Sequence, residues 1–292
     1  MNGSMWKRVV GVGLIGGLVA AGALVLLDRH RPPPPPPEGT IAYSAPNVHD
    51  VLVASADGSG VRRLTFAPGP QFDPSFSPDG SLIAYRDSRH GINEDDEIWV
   101  MDRDGEHARN LTRDHGNDWS PAWSPDGRMI AFASTRSGSL ELWTMAADGS
   151  NPRRLSSSPG EYPSWSPDGS RIAFSLVTAG AVQIAIVGRG GQGQRTLTPL
   201  TENSELPAWS PDGSLIAFSR GFEGRRTIWT MRPDGSEATR ITEAGSDDVA
   251  PAWSPDGRYI VFARRRRLMT MRADGSDVRS LGLGGSLPAW TS

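Results

Sequence analysis

A seven-residue phrase recurs along this chain and constrains its fold more than any other feature. It reads Pro-Ala-Trp-Ser-Pro-Asp-Gly at Pro121–Gly127, Pro207–Gly213 and Pro251–Gly257. It reads Pro-Ser-Trp-Ser-Pro-Asp-Gly at Pro163–Gly169 and Pro-Ser-Phe-Ser-Pro-Asp-Gly at Pro74–Gly80, and a truncated Pro-Ala-Trp stands at Pro288–Trp290. The aromatic position steps through Phe76, Trp123, Trp165, Trp209, Trp253 and Trp290, at intervals of 47, 42, 44, 44 and 37 residues. A period of this length with strand-like content marks an all-β, six-bladed β-propeller, one four-stranded blade per repeat.

Each repeat reads as four strands. In the copy at residues 121–156, Pro121-Ala122-Trp123-Ser124 is the first strand and Ser124-Pro125-Asp126-Gly127 the turn after it. Proline presets its own φ there, aspartate bonds the local backbone, and glycine takes the positive φ. Met129–Ala133 is the second strand, Leu140–Met145 the third, Asp148-Gly149 a hairpin, and Asn151–Ser156 the fourth. The first repeat enters at its second strand, Gly39–Tyr43, and the terminal Pro288-Ala289-Trp290 supplies the missing first strand. The ring is therefore expected to close by pairing the last strand with the first three, which removes an exposed seam.

The succession Trp-Ser-Pro-Asp-Gly, Ile-Ala-Phe, Ile-Trp-x-Met and Asp-Gly-x5-Leu-Thr resembles the propeller repeat of TolB-type translocation proteins. It is similar as well to the repeat in tricorn-like and prolyl-oligopeptidase-like peptidases. The resemblance covers residues 39–292. It implies a propeller that binds partner proteins in the cell envelope, as TolB-type propellers do, or one that gates a hydrolase domain, as in the peptidases. The residues before 39 do not read as the α/β domain that precedes a TolB propeller, and no hydrolase domain is legible.

The N-terminus reads as a membrane anchor. After a short cytoplasmic tail, residues 1–8, an uncharged run spans Val9–Leu27. Its nineteen residues reach roughly 28 Å as a helix, close to the hydrocarbon thickness of a bilayer. A cleavable signal peptide is the rival reading, with Ala21-Gly22-Ala23 as its site, but Leu24–Leu27 extend the apolar run past it. A Pro-rich linker, residues 28–38, comes next; its run Pro32–Pro37 should form a polyproline II rod of roughly 19 Å. The expected location is thus a single-pass inner-membrane protein with its propeller on the periplasmic or extracellular side.

Composition excludes several chemistries. There is no cysteine, so no disulfide, thiolate metal site or cysteine nucleophile exists. A formal net charge of −3 argues against a nucleic-acid partner. No nucleophile-elbow motif occurs, and no histidine lies beyond His115. Gly188–Gly193 fits a dinucleotide fingerprint only on paper, since no helix comes after it. No cofactor or metal is expected. His49, His90 and His115 with Asp50 or Asp114 fall in loops of neighbouring repeats and are the histidine-based metal arrangement the sequence offers.

Two groups of residues are candidates for binding. Carboxylates gather just before each first strand, at Asp73, Asp118, Glu161, Glu205 and Asp248. First strands line the channel of a propeller, so these are expected to ring one mouth of it, as scattered solvated acids or as an electronegative funnel for a cation or basic peptide. The connections between second and third strands differ in every repeat and share that face. They offer Glu94, Asp95 and Asp96 in one loop and Arg264, Arg265, Arg266 and Arg267 in a tight hairpin. Phe72, Trp119, Tyr162 and Phe222 are aromatic loop candidates for stacking on a sugar. The functional expectation is a protein- or peptide-binding scaffold of the envelope, not an enzyme; the alternatives are a hydrolase or lyase at the acidic mouth, or a glycan or small-ligand sensor.

Overall fold

The computed structural model describes residues 37–46, 48–89, 91, 95–113 and 116–292. The expected membrane segment, most of the linker, and Glu94, His90, Asp114 and His115 lie outside them. Among the described residues there is no helix long and apolar enough to cross a membrane.

Six four-stranded antiparallel sheets form the blades. The inner strands are Ser286–Thr291, Gln71–Phe76, Asp118–Trp123, Gly160–Trp165, Ser204–Trp209 and Asp248–Trp253, for blades 1 to 6. Blade 1 closes as the repeat pattern requires: Ser286–Thr291 pairs with Thr40–Ala45, in the register Thr40 with Thr291 and Ile41 with Trp290. In blades 1 to 5 the outer strands are two residues long, shorter than expected, whereas that of blade 6, Arg279–Gly284, has six. Arg153–Arg154 stands where the repeat pattern predicts six residues, Asn151–Ser156. The closing threonine leaves the strand because its hydroxyl is used elsewhere. Thr65, Thr112, Thr198 and Thr242 each accept a hydrogen bond at Oγ1 from a backbone N–H of the third strand.

The Ser-Pro-Asp-Gly turn is held by side chains. In blade 3, Ser124 Oγ donates to Asp126 Oδ1 at 2.6 Å and accepts from Met129 N at 2.9 Å. Gly127 has φ +68°, the left-handed conformation that favours glycine. Ser166 and Asp168, and Ser254 and Asp256, repeat the arrangement. The Asp-Gly hairpins meet a second demand. A Cβ on Gly149 would stand 2.6 Å from Leu111 O in the preceding blade, so the turn docks there only because it has none.

The core lies between blades. Trp123 packs with Ile98 and Val100 of blade 2 and with Ile130 and Phe132 of its own blade. Trp165 packs against Leu142 of blade 3, and its indole N–H donates to Ala122 O. A buried ring of this size contributes about 3–5 kcal/mol relative to alanine. This is the packing role that the regular position of the tryptophans implies.

Candidate functional site

The inner strands carry a feature that no residue type announces. In each blade the residue before the repeat proline has positive φ: Asp73 (54°), Ser120 (53°), Tyr162 (52°), Leu206 (57°), Ala250 (55°) and Leu287 (49°). Pairing skips at the same place, so that two residues, Asp73 and Pro74 for example, face one on the second strand. This is a β-bulge, and proline suits it because the ladder there needs no N–H. A non-glycine residue in this region costs about 1–3 kcal/mol. Its repetition in all six blades marks it as architecture. Its effect is to turn both bulge residues onto the wall of the central channel, a cavity of about 470 Å³.

The carboxylates expected to form one ring occupy three different positions of the inner strand. Side chains alternate between faces along a strand, so one residue of offset changes the environment. Asp118 and Asp248 open their strands opposite Ser134 and Arg264, and both are fully buried. Arg136 lies 2.8 Å from Asp118, and Arg264 grips Asp248 with two bonds of 2.7 and 3.0 Å. Glu161 and Glu205 sit one residue further on, opposite Ser175 and Ser219. Asp73 occupies the bulge itself. The expected ring of five acids is therefore not built; Asp118 and Asp248 belong to structural ion pairs inside their blades.

The loop-face expectation is corrected in the same way. Asp96 is buried against Arg86, and Arg264 is bound by Asp248, so neither stands free for a partner. Asp95 is exposed with φ +67°. Arg265 and Arg266 form the two-residue turn of a hairpin that pairs Arg264 with Arg267; both have positive φ, and 265–267 are exposed. Asp50, the metal candidate beside His49, is buried and paired with Arg63 at 2.8 Å. Among the described residues no cluster of three potential metal ligands occurs.

What remains at the mouth is polar, aromatic and concentrated on blades 2 to 5. Phe72, Trp119 and Tyr162, expected in loops, lie in inner strands instead. The Arg86 guanidinium lies between the rings of Phe72, at 5.6 Å, and Trp119, at 5.9 Å. Trp119 Nε1 donates to Glu161 Oε2 at 3.3 Å. Glu205 pairs with Arg226 at 3.1 Å, and Arg226 also bonds Asp247. Burial raises the carboxyl pKa of Asp73, with Arg86 opposing, and burial likewise raises that of Glu161, with Glu205 and Asp73 adding to the rise. The Tyr162 hydroxyl is raised as well, through burial and the fields of Asp73, Glu161 and Glu205. These groups thus share one electrostatic environment.

Arg86 is the residue that sequence reading passed over. Its place in the second strand is held by Ser44, Arg86, Ala133, Ser175, Ser219 and Ala263 in the six blades. Serines there accept the bulge N–H of the next blade: Asp73 N to Ser44, Leu206 N to Ser175, Ala250 N to Ser219. Arginine cannot accept, and Ser120 N turns to Asp73 Oδ2 at 3.2 Å instead. Superposing the repeats position by position would have exposed this exception.

The family model of the TolB beta propeller domain matches residues 50–163 and again 158–287. Among solved structures, TolB from Acinetobacter baumannii is 23% identical with a TM-score of 0.75, covering 94% of this chain and 71% of that one. A putative TolB from Agrobacterium tumefaciens is 22% identical with a TM-score of 0.70, covering 86% and 91%. Tricorn protease is 18% identical with a TM-score of 0.66 over 85% of this chain and 26% of its own. No curated protein sequence matches the chain significantly. Likeness at these identities speaks for the fold, and the family model spans most of the six blades: this chain belongs to the TolB β-propeller domain family.

Proposed function

We propose that this chain is an exported, membrane-anchored propeller that binds an extended segment of another envelope protein at the blade 2 to 5 side of its channel mouth. The observation that carries this reading is the divergence of the repeats at that one end. The Ser-Pro-Asp-Gly turns at the opposite end are nearly uniform, whereas the mouth holds Phe72, Trp119, Glu161, Glu205 and Val249 at one equivalent strand position. A few convergent polar groups among aromatic ones are the usual anchors of a binding site. Exposed Phe66, Leu200 and Phe222 lie in connections at the same end, where they would extend the contact.

The test is photo-cross-linking in the cell that makes the protein. A photoreactive amino acid replacing Phe72 or Val249 should yield discrete cross-linked protein bands. The same replacement at Ser150 or Glu237, on the hairpin turns of the other end, should not. Bands from the turns alone, or from neither end, would overturn the assignment.

A further inference from the structure

Seven carboxylates are buried among the described residues, and six of them have an arginine at hand. Asp50 lies 2.8 Å from Arg63, Asp87 2.9 Å from Arg89, Asp118 2.8 Å from Arg136, Glu141 3.4 Å from Arg154 and Asp248 2.7 Å from Arg264; Asp96 is paired with Arg86. Asp73 is the exception. It is 8% exposed, on the channel wall. Its Oδ2 accepts two long bonds from Ser120, 3.2 Å from N and 3.4 Å from Oγ, while Oδ1 accepts none among the described residues. A carboxylate withdrawn from water is unfavourable unless a cation or several donors compensate it. The arginine whose field reaches it, Arg86, is already committed to Asp96.

Glu161, one blade on, is in a similar position. Its hydrogen bond comes from the neutral indole of Trp119, and no arginine among the described residues lies within salt-bridge distance of it. Trp119 and Tyr162 stand beside these carboxylates, and aromatic faces attract ammonium and guanidinium groups while tolerating their desolvation.

On the reading that the mouth holds a peptide segment, we propose that Asp73 and Glu161, beside Trp119 and Tyr162, form a subsite for one ammonium or guanidinium group, the lysine or arginine side chain of the bound segment. The chain supplies a cation to each other buried carboxylate and leaves this one to be completed from outside.

Two measurements on the full chain test this. The first uses n-butylammonium chloride as the probe and tracks the thermal midpoint against equal concentrations of sodium chloride and n-butanol. Butylammonium should raise the midpoint of the wild type beyond either control, and Asp73→Asn should lose the rise. Equal responses in wild type and Asp73→Asn overturn the subsite, as does a rise with calcium chloride and none with butylammonium, which would make it a metal site. Glu161→Gln replaces Asp73→Asn should the latter fail to fold. The second selects peptides from a displayed random library. Enriched peptides should share a lysine or arginine at one position and bind Asp73→Asn about tenfold more weakly, the size of one charge-assisted contact. Peptides enriched without a fixed cation overturn the subsite and leave the peptide-binding reading intact. A butylammonium response with no peptide enriched does the reverse.

Discussion

Aspartate in this molecule is pulled in opposite directions by its surroundings. At the turns, Asp79 and Asp168 accept hydrogen bonds from serine hydroxyls and backbone N–H groups, first from Ser77 and Ser166, and these hold the carboxyls down at about 2. At Asp73 burial dominates and raises the pKa. A raised value in the fold means the native state holds its proton more tightly than the unfolded chain. The stability associated with the neutral carboxyl is therefore complete below the ordinary carboxylate range and is lost as pH rises through the folded value. Ser44, Ser120, Arg86, Asp96, Glu161 and Tyr162 face this group, and the one cation among them, Arg86, is paired with Asp96. Asp73→Asn keeps an acceptor for Ser120 and does not titrate. It should match the wild type near pH 4 and exceed it at neutral pH by on the order of 1–3 kcal/mol, the usual cost of an uncompensated buried polar group. Urea midpoints from pH 4 to pH 8 check this; a wild type that gains on the variant as pH rises would show that Asp73 finds its cation inside the fold.

At the scale of the strand, the repeat made four elements per blade legible because turn chemistry and alternation both recur. The inner-strand bulge was not legible. Positive φ usually announces itself through glycine or asparagine, but here it falls on aspartate, serine, tyrosine, leucine and alanine, fixed by the ring and not by propensity. Asp118 and Glu161 stand five and four residues before their tryptophans, both ahead of the bulge, and that one residue of offset along an alternating strand is why they face different surroundings. Closure was legible because the terminal Pro288-Ala289-Trp290 matches the strand missing from blade 1, and it carries a strong consequence. Ser286–Thr291 covers Thr40–Ala45, and Trp290 packs on the cluster holding Ile41, Tyr43 and Leu268. Deleting residues 286–292 would bare that cluster and leave Thr40–Ala45 as an open edge. The shortened chain should lose its cooperative melt by near-ultraviolet circular dichroism and aggregate. An unchanged melt would mean that five inner strands hold the ring without the sixth.

For the whole molecule, compartment is the property on which function depends most, and it rests on Lys7, Arg8 and the uncharged run Val9–Leu27. A basic residue pair ahead of such a run favours retention of the short tail in the cytoplasm and export of the chain beyond the run. The arginines at 29 and 31 flank the far end and oppose that bias, so the orientation needs direct measurement. The fold makes the measurement clean. Inner strands run toward the Ser-Pro-Asp-Gly turns, so Ser292 emerges at that end, as does Glu38, whose carbonyl accepts from Trp290 Nε1. An enzyme fused after Ser292 would thus hang from the end opposite the mouth and leave the proposed site open. Alkaline phosphatase, which is active only after export, should be active in that fusion, and the protein should stay with membranes through a high-salt wash. Activity in a soluble fraction at reduced mass would identify Val9–Leu27 as a cleaved signal and leave a free envelope propeller. An inactive fusion with the chain still in the membrane would put the mouth in the cytoplasm, and the proposal of an envelope partner would fall with it.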